Sequence, residues 1–198
     1  MPENRVMIVG LGNPGPQYET TRHNAGFLAL DYFAGHEGLA LSSVKLQGLY
    51  CAARCAGRQV LLLKPQNYMN RSGECVAGFA HYFNVAAADI LVVHDDLDLA
   101  PGRLKIAAGG GAGGHNGIRS LLASLGAGEF TRLKIGIGHP RDGEETRATP
   151  VERYVLSRMP AAQWDLLQDT LPRIAEGIRS FIEQGVGAAM NSMNRKLP

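Results

Sequence analysis

Short apolar runs that alternate with helical patterns restrict the fold of this chain more than any other feature. Four runs have the length of a buried strand, and several are rich in β-branched residues: 6–9, 60–63, 90–93 and 133–137. Apolar residues recur at helical spacing over 27–33, 76–83 and 118–125. The alternation predicts an α/β domain with helices on a largely parallel sheet. Functional side chains are then expected where the strands end.

One domain can account for the whole chain. Its 198 residues lie within the usual size of a domain, and 45% apolar residues can fill one core. No apolar run approaches the roughly 20 residues of a membrane span. The N-terminus lacks a basic segment followed by an apolar signal core. We therefore expect a single domain over 1–198, in a cytoplasmic protein that does not contact a membrane.

Cysteine content and net charge give weaker constraints. The three cysteines are an odd number without paired zinc spacing, which favours buried or idle thiols over a disulfide framework or a zinc site. The net charge of +2 is too small to indicate nucleic-acid binding on its own. An anionic partner would therefore have to be held by a local cluster of lysines and arginines.

The C-terminal third combines a polar loop with an amphipathic helix. Residues 139–150 are polar, charged and proline-containing, which predicts an exposed loop that could act as a lid. Apolar residues then repeat every three or four positions over 164–181, as in a helix that packs on a sheet. Pro172 lies inside this pattern, so we expect a kink or a break there.

Residues 10–15 spell G-x-G-x-x-G after the first predicted strand, which is the pattern of a dinucleotide-binding loop. Such a loop needs a helix that opens directly on the third glycine, and an acidic residue about 20 positions further on. Here the helix is expected to begin near Thr20 or Thr21 as its N-cap, and Asp31 falls inside it. A nicotinamide-dependent oxidoreductase is therefore disfavoured. The glycines instead indicate positive φ angles or close packing around Asn13.

Other polar groups also stand where strands should end. They lie in 66–70 (QNYMN), in 94–98 (HDDLD) and in 115–116 (HN), after a second glycine tract. Each alone favours a structural role in a turn or a cap, but together they favour a site. The 94–96 run lacks known metal-binding spacing, and neighbours on a strand point to opposite faces. The serine-hydrolase elbow and the P-loop are also missing from the sequence.

General-base hydrolysis is the simplest chemistry for this set of residues. A neutral His23 near a helix N-terminus could take a proton from water, while a carboxylate on its other ring nitrogen fixes the tautomer. Asparagine amides and glycine-loop N–H groups could hold a carbonyl oxygen or the developing oxyanion.

Five separated blocks closely resemble the bacterial peptidyl-tRNA hydrolase family. They are GLGNPG, Tyr18 and TRHNAG within 10–26, YMN and SG within 68–73, HDDLD at 94–98, the glycine tract of 109–117, and GIGHP at 136–140. The likeness covers nearly the whole chain. It implies a monomeric α/β fold with a mixed sheet between helices. It also implies cleavage of the ester that joins a peptide to the terminal ribose of tRNA, which recycles tRNA from abandoned translation. No metal and no organic cofactor is implied.

The resemblance also implies a role for individual residues. His23 would be the general base, and Asp95 the group that keeps it basic and oriented. The implied substrate-binding residues are Asn13, Tyr18, Tyr68, Met69, Asn70, His115 and Asn116. Among them, Asn13 resembles the residue that separates a blocked, peptidyl amine from a free one. Lys105 and Lys134 resemble the basic cluster that faces tRNA, where phosphate contacts give affinity with little sequence preference.

Two positions depart from the family pattern. Ala107 stands where family members commonly carry a second basic residue, and Pro172 lies in a helix that they usually make continuous. A non-catalytic RNA-binding factor on the same fold is the alternative function. The presence of both His23 and Asp95, together with the asparagines, argues against it, because a binding module has no need for a paired base and carboxylate.

Overall fold

The structure is a computed structural model that describes residues 5–126 and 129–194. Seven strands in these ranges form one sheet, in the order β2-β3-β4-β1-β5-β7-β6. Their bounds are Val6–Gly10 (β1), Ser43–Lys45 (β2), Gly48–Cys55 (β3), Arg58–Pro65 (β4), Ile90–Asp96 (β5), Leu104–Ala108 (β6) and Thr131–Gly136 (β7).

The sheet is mixed, with a parallel centre and antiparallel flanks. Strands β4, β1, β5 and β7 are parallel neighbours. Antiparallel pairing adds β3 and β2 on one side and β6 on the other. The predicted α/β class is confirmed. The four predicted strands are the four parallel ones. Strands β2, β3 and β6 were not predicted. Strand β2 has three residues and none of them is buried, while exposed positions interrupt the burial of β3 and β6.

Helices cover both faces of the sheet. Their bounds are Ala25–His36 (α1), Ser72–Phe83 (α2), Asn116–Leu125 (α3), Val151–Val155 (α4), Ala161–Gln184 (α5) and Val186–Met193 (α6). Alternate side chains of β1 enter two separate cores, so that Ile8 packs with α1, α5 and α6, whereas Val9 packs with α2 and α3. The predicted sandwich of a sheet between helices is therefore confirmed.

The sequence led us to expect a kink or a break at Pro172, and α5 has no break there, because the helix continues through this residue. Proline removes one helical N–H group and crowds the preceding turn. Leu171 and Ile174 on either side are buried in the core beneath the sheet. Their burial holds both halves of the helix against the same surface, which offsets the lost hydrogen bond.

The first glycine tract packs a helix closely onto the sheet. A Cβ atom on Gly26 would lie 2.3 Å from the carbonyl oxygen of Val93, and one on Gly10 would lie 2.5 Å from the carbonyl oxygen of Gly26. Gly15 has a φ of 112°, a left-handed conformation that favours glycine. Both structural explanations for the glycines therefore apply.

Helix α1 begins later than the sequence suggested. A 3-10 turn over Arg22–Asn24 precedes it, and Thr21 occupies the N-cap position of that turn. The Thr21 hydroxyl donates to the carbonyl oxygen of Tyr18, 2.8 Å away, and makes no capping bond to the turn. The expected threonine cap is therefore wrong, because the side chain closes the preceding turn.

Three further expectations concern the periphery. Residues 139–150 contain the short 3-10 turn Pro140–Asp142 and are mostly exposed, as predicted. The three cysteines are free thiols, and burial raises the pKa of Cys75 to about 12. Across the described ranges, no helix combines the length and the apolar character needed to span a membrane.

Candidate active site

The carboxyl edge of the parallel strands gathers most of the predicted site residues. Asn13 follows β1, and Met69 follows β4 in a 3-10 turn. Asp95 stands near the end of β5, while His23 belongs to the 3-10 turn that leads into α1. Parallel strands present their carboxyl ends at one edge of the sheet, which is the usual place for a site in this fold class.

His23 and Asp95 form a buried pair. The Nδ1 atom of His23 lies 3.0 Å from both carboxylate oxygens of Asp95. Burial alone lowers the pKa of His23, but the charge of Asp95 and its hydrogen bond outweigh that effect, so the pKa is raised above 6.5. With Nδ1 donating to Asp95, the neutral ring carries its lone pair on Nε2.

His115 holds the same carboxylate from the other side. Its Nδ1 atom caps α3 by accepting from the backbone N–H groups of Gly117 and Ile118, at 3.1 and 3.3 Å. The proton of the neutral ring is therefore on Nε2, which lies 2.9 Å from Asp95 Oδ1 and donates to it. Burial raises the pKa of Asp95, yet the two histidines bring it well below 3.8.

Both ring nitrogens of His115 are thus engaged within the protein. The resemblance implies a substrate-binding role for this residue, whereas its contacts favour the positioning of Asp95. The side chains of His23, Asp95 and His115 are also the metal-capable group of the described residues, with ligand atoms within 4.8 Å of one another. The 94–96 run of the sequence does not form that group.

Asn13 is fixed by hydrogen bonds at its backbone and at its side chain. The side chain of Asn24 accepts from the Asn13 N–H (2.8 Å) and donates to the Asn13 carbonyl oxygen (3.0 Å). Asn13 Oδ1 accepts from the backbone N–H of Met69 at 2.8 Å. The amide nitrogen Nδ2 of Asn13 is therefore the group left to meet a ligand. Sequence analysis assigned no separate role to Asn24, although this residue stands in the TRHNAG block beside His23.

The remaining predicted residues lie around this centre. Tyr68 is 60% exposed and Asn70 is also exposed, whereas Met69 between them is buried. Tyr18 is half-buried on the 3-10 turn just ahead of His23.

Asn116 opens α3 and is exposed. Its Oδ1 atom accepts from Arg119 at 2.7 Å, so Asn116, like Asn13, has its oxygen occupied and its amide nitrogen left to donate.

His94 packs next to Asp95 and His115. Its Nδ1 atom donates to the carbonyl oxygen of Asp95, 2.6 Å away, and its ring meets that of His115 edge-on at 4.8 Å. Burial lowers the pKa of His94 to about 3, with help from the neighbouring His115. The ring is therefore neutral over the range in which enzymes work.

Arg132 anchors the second glycine tract. It is 2% exposed and donates to the carbonyl oxygens of Gly110 and Gly111. Sequence analysis did not identify it. Its only signal was the alternation of β7, which puts Arg132 and Lys134 on one face of the sheet. These hydrogen bonds hold the glycine-rich loop in a defined position ahead of α3.

The two predicted tRNA-facing lysines are cross-strand partners. Lys105 on β6 pairs in register with Lys134 on β7. Lys105 is exposed, whereas the Nζ atom of Lys134 lies 2.9 Å from Asp96 Oδ2 and is partly buried. The two lysines are therefore not equivalent, because the charge of Lys134 is already compensated.

Known proteins resemble this chain over almost its whole length. The family model described as peptidyl-tRNA hydrolase matches residues 7–198. A peptidyl-tRNA hydrolase of Symbiobacterium thermophilum is 48% identical over 95% of this chain and 98% of its own length. One from Desulfotalea psychrophila is 44% identical over 96% of this chain and 97% of its own.

Solved structures give the same result. A peptidyl-tRNA hydrolase crystallised with N-propanol has a TM-score of 0.88 and 38% identity, covering 98% of this chain and 97% of its own. The enzyme of Acinetobacter baumannii has a TM-score of 0.87 and 39% identity, covering 97% and 95%. The chain therefore belongs to the peptidyl-tRNA hydrolase family.

Proposed function

We propose that the protein hydrolyses the ester bond between an N-blocked aminoacyl group or peptide and the 3′ end of tRNA, with His23 as the general base. The observation that carries this proposal is the buried contact of His23 Nδ1 with Asp95. It leaves the basic nitrogen Nε2 free to take a proton and places a carboxylate where the resulting imidazolium needs compensation.

The reaction then follows from the positions of the protons. His23 Nε2 takes a proton from water as the oxygen of that water attacks the ester carbonyl. The tetrahedral intermediate collapses when the ribose oxygen leaves, and that oxygen receives the proton from the imidazolium. Asp95 stays ionised throughout, because His115 and His23 both donate to it. The products are a free carboxylic acid and a deacylated tRNA.

The amide of Asn13 supports selection of a blocked amine. Its oxygen accepts from Met69, so its nitrogen presents N–H donors to the substrate. Such donors suit the carbonyl oxygen of a peptide link. A free ammonium group would face N–H groups and find no acceptor there, which is unfavourable. Intact aminoacyl-tRNA would thus be spared.

We propose that the hydrolysis needs neither metal nor organic cofactor. The backbone N–H groups at the start of α3 keep the proton of His115 on Nε2. A metal at this cluster would need the lone pair of that same nitrogen. Metal binding to the cluster would therefore disrupt the cap of α3. A monomer that acts in the cytoplasm, where peptidyl-tRNA is released, fits this function.

The test is incubation of the protein with N-acetyl-aminoacyl-tRNA in the presence of a chelator and without nucleotide. We expect release of N-acetyl amino acid. The His23→Ala variant should lose most of this release. His36→Ala is its matched control and should keep it, because His36 is an exposed histidine on the neighbouring helix. Failure of the wild-type protein to release the amino acid would favour the non-catalytic RNA-binding factor.

A further inference from the structure

Arg22 stands directly before His23 in the 3-10 turn, is 5% exposed and takes no part in the mechanism described above. The His23 ring contacts Asp95 on β5. The guanidinium group of Arg22 instead reaches the connection between α4 and α5, which is residues 156–160, and its neighbours. Burial of a cation is costly unless the protein compensates it. The contacts of Arg22 therefore call for a function.

The guanidinium group of Arg22 is compensated by dipoles. Its Nε atom donates to Gln163 Oε1 at 2.9 Å, and its Nη1 atom donates to Ser157 Oγ at 2.6 Å. The carbonyl oxygens of Tyr154 and Arg158 each lie 3.3 Å from Nη1. The Cζ atom lies 4.0 Å from the centre of the Tyr154 ring, as in a cation–π contact. None of these partners is a carboxylate, so the group is held by geometry and not by one opposite charge.

The backbone joins the same two parts of the chain. Residues 20–22 run antiparallel to 157–159, with one hydrogen bond of 3.0 Å at Met159 and one of 3.4 Å at Ser157. The second bond is long for an N–H···O contact. The side chain of Arg22 reinforces this end of the junction, because it donates to the hydroxyl group of Ser157.

The connection between α4 and α5 is held in place by contacts of its own. Met159 is buried in the core beneath the sheet, and the hydroxyl group of Tyr154 donates to the carbonyl oxygen of Ile137, 2.9 Å away. Gln163 donates to the same oxygen, also at 2.9 Å. The 3-10 turn that carries His23 is three residues long. The connection is therefore the fixed partner, and the turn is the part that is held.

We propose that Arg22 is a positioning residue for the reaction, which fixes the turn that carries His23 against the connection between α4 and α5. The inference rests on the proposed function, and it adds a residue that acts through the general base. Asp95 orients the ring of His23, and Arg22 orients the backbone from which that ring extends. A misplacement of about 1 Å caused by a distant mutation can cost about a hundredfold in rate.

The contacts of Arg22 require a planar fork. A lysine would retain the charge, but its single nitrogen cannot reproduce the separate contacts of Nε to Gln163 and of Nη1 to Ser157. It would also lose the flat contact with the Tyr154 ring. Arg22→Lys therefore loosens the junction and keeps a cation in place.

The first test separates kcat from KM. Arg22→Lys should lower kcat for N-acetyl-aminoacyl-tRNA about tenfold and leave KM within about twofold, because substrate contacts are unchanged. Arg158→Lys is the matched control, an exposed arginine on the same connection, and should keep the wild-type kcat. A wild-type kcat in Arg22→Lys, or a raised KM with unchanged kcat, would overturn the proposal.

The second test weakens the junction from its other side. Gln163→Ala removes the acceptor of Arg22 Nε, while the carbonyl oxygen of Ile137 keeps the hydroxyl group of Tyr154 as a donor. We expect kcat to fall about threefold, and the double variant with Arg22→Lys to be about as slow as Arg22→Lys alone. Losses that multiply would contradict the proposal. Should Arg22→Lys fail to fold, an unchanged kcat in Gln163→Ala would contradict it as well.

The proton on Nδ1 of His23 reports the position of the ring without any turnover. In ¹⁵N-labelled wild-type protein it should give a resolved downfield NMR signal, because the buried Asp95 accepts it. Absence of the signal in His23→Ala assigns it. The signal should be broadened or lost in Arg22→Lys and retained in Arg158→Lys, and an identical signal in both variants would contradict the proposal.

This signal also distinguishes a failure of the proposed function. If the wild-type protein released no N-acetyl amino acid from its tRNA ester, the hydrolase assignment would be lost. The expected change of the signal in Arg22→Lys would then still show that Arg22 positions His23. If hydrolysis occurred while Arg22→Lys kept both the signal and kcat, the hydrolase assignment would stand and the role of Arg22 would be wrong.

Discussion

The Nδ1 atom of His23 lies 3.0 Å from each carboxylate oxygen of Asp95, and both side chains are buried. This contact joins the turn before α1 to the end of β5. It gives a histidine one fixed tautomer and one compensating charge, and both features suit a general base.

His23→Ala should abolish most ester cleavage and leave tRNA affinity nearly intact. General-base catalysis typically contributes about 10² to 10⁴ in rate. Single-turnover cleavage of N-acetyl-aminoacyl-tRNA and filter binding of deacylated tRNA measure the two quantities separately. Retention of more than about a tenth of the wild-type rate would exclude His23 as the base.

Asp95→Asn should move the pH dependence of cleavage to lower pH. Only neutral His23 can accept a proton, so the wild-type rate should rise with pH through the raised pKa, above 6.5. Without the charge of Asp95, burial dominates and the midpoint should fall below 6.5. The plateau rate should also decrease. Asp98→Asn, at an exposed position, is the control and should stay active. An unchanged profile in Asp95→Asn would remove Asp95 from the mechanism.

Asn13→Asp should reverse part of the selection against a free amine. The new carboxylate can still accept from the Met69 N–H, but it replaces a donor with an acceptor where the amide nitrogen stood. We expect cleavage of N-acetyl-aminoacyl-tRNA to fall about tenfold to a hundredfold, and the ratio of free to blocked cleavage to rise. Parallel kcat/KM measurements on both substrates check this. A constant ratio would show that Asn13 does not sense the amine.

Lys105→Ala should weaken tRNA binding more than Lys134→Ala does. Lys105 is exposed, whereas Lys134 is already paired with Asp96. One lost phosphate contact lowers the slope of log affinity against log salt by about 0.7 to 0.9. Lys45→Ala on β2, at the other edge of the sheet, is the control. An ester that carries only the terminal nucleotide should be indifferent to Lys105→Ala, and an equal loss on both substrates would place Lys105 in the cleft.

His94 should make the fold sensitive to mild acid. Its pKa is about 3 in the folded protein and close to 6.5 in the unfolded chain, so unfolding takes up a proton between these values. The free energy of unfolding should therefore fall with pH by up to about 1.4 kcal/mol per pH unit in this range. His94→Gln should flatten the decline, and His81→Gln, at an exposed position, should not. Urea titrations between pH 4.5 and 6.5, where we expect this group to dominate, distinguish the two.

The sequence predicted the centre of the fold better than its edges. The apolar runs around Val9 and Val92 are continuous because parallel strands are buried on both faces. Lys105 on β6 interrupts any such run, since its side chain is exposed. The continuity of α5 at Pro172 could not be predicted either, because it depends on long-range packing against the sheet.

The sequence likewise predicted only part of the candidate site. His23 and Asp95 stood in recognisable blocks, and the structure brings them together. The dual engagement of His115 was not predictable, because it depends on where α3 begins relative to β5. Asn24 and Arg132 act on backbone atoms of glycine-rich turns, and a sequence does not indicate which carbonyl or N–H group a side chain will reach.

The close approach of Gly26 to the carbonyl oxygen of Val93 has a consequence for how this enzyme can vary. The turn that carries His23 and the strand that carries Asp95 touch through backbone atoms, with no room for a side chain between them. A side chain at Gly10 or Gly26 would force these backbones apart, because its Cβ atom would lie 2.5 Å or less from a carbonyl oxygen. The spacing of His23 and Asp95 is therefore tied to two positions that carry no functional group of their own. Substitution of either glycine should disturb the site even though no site side chain is changed.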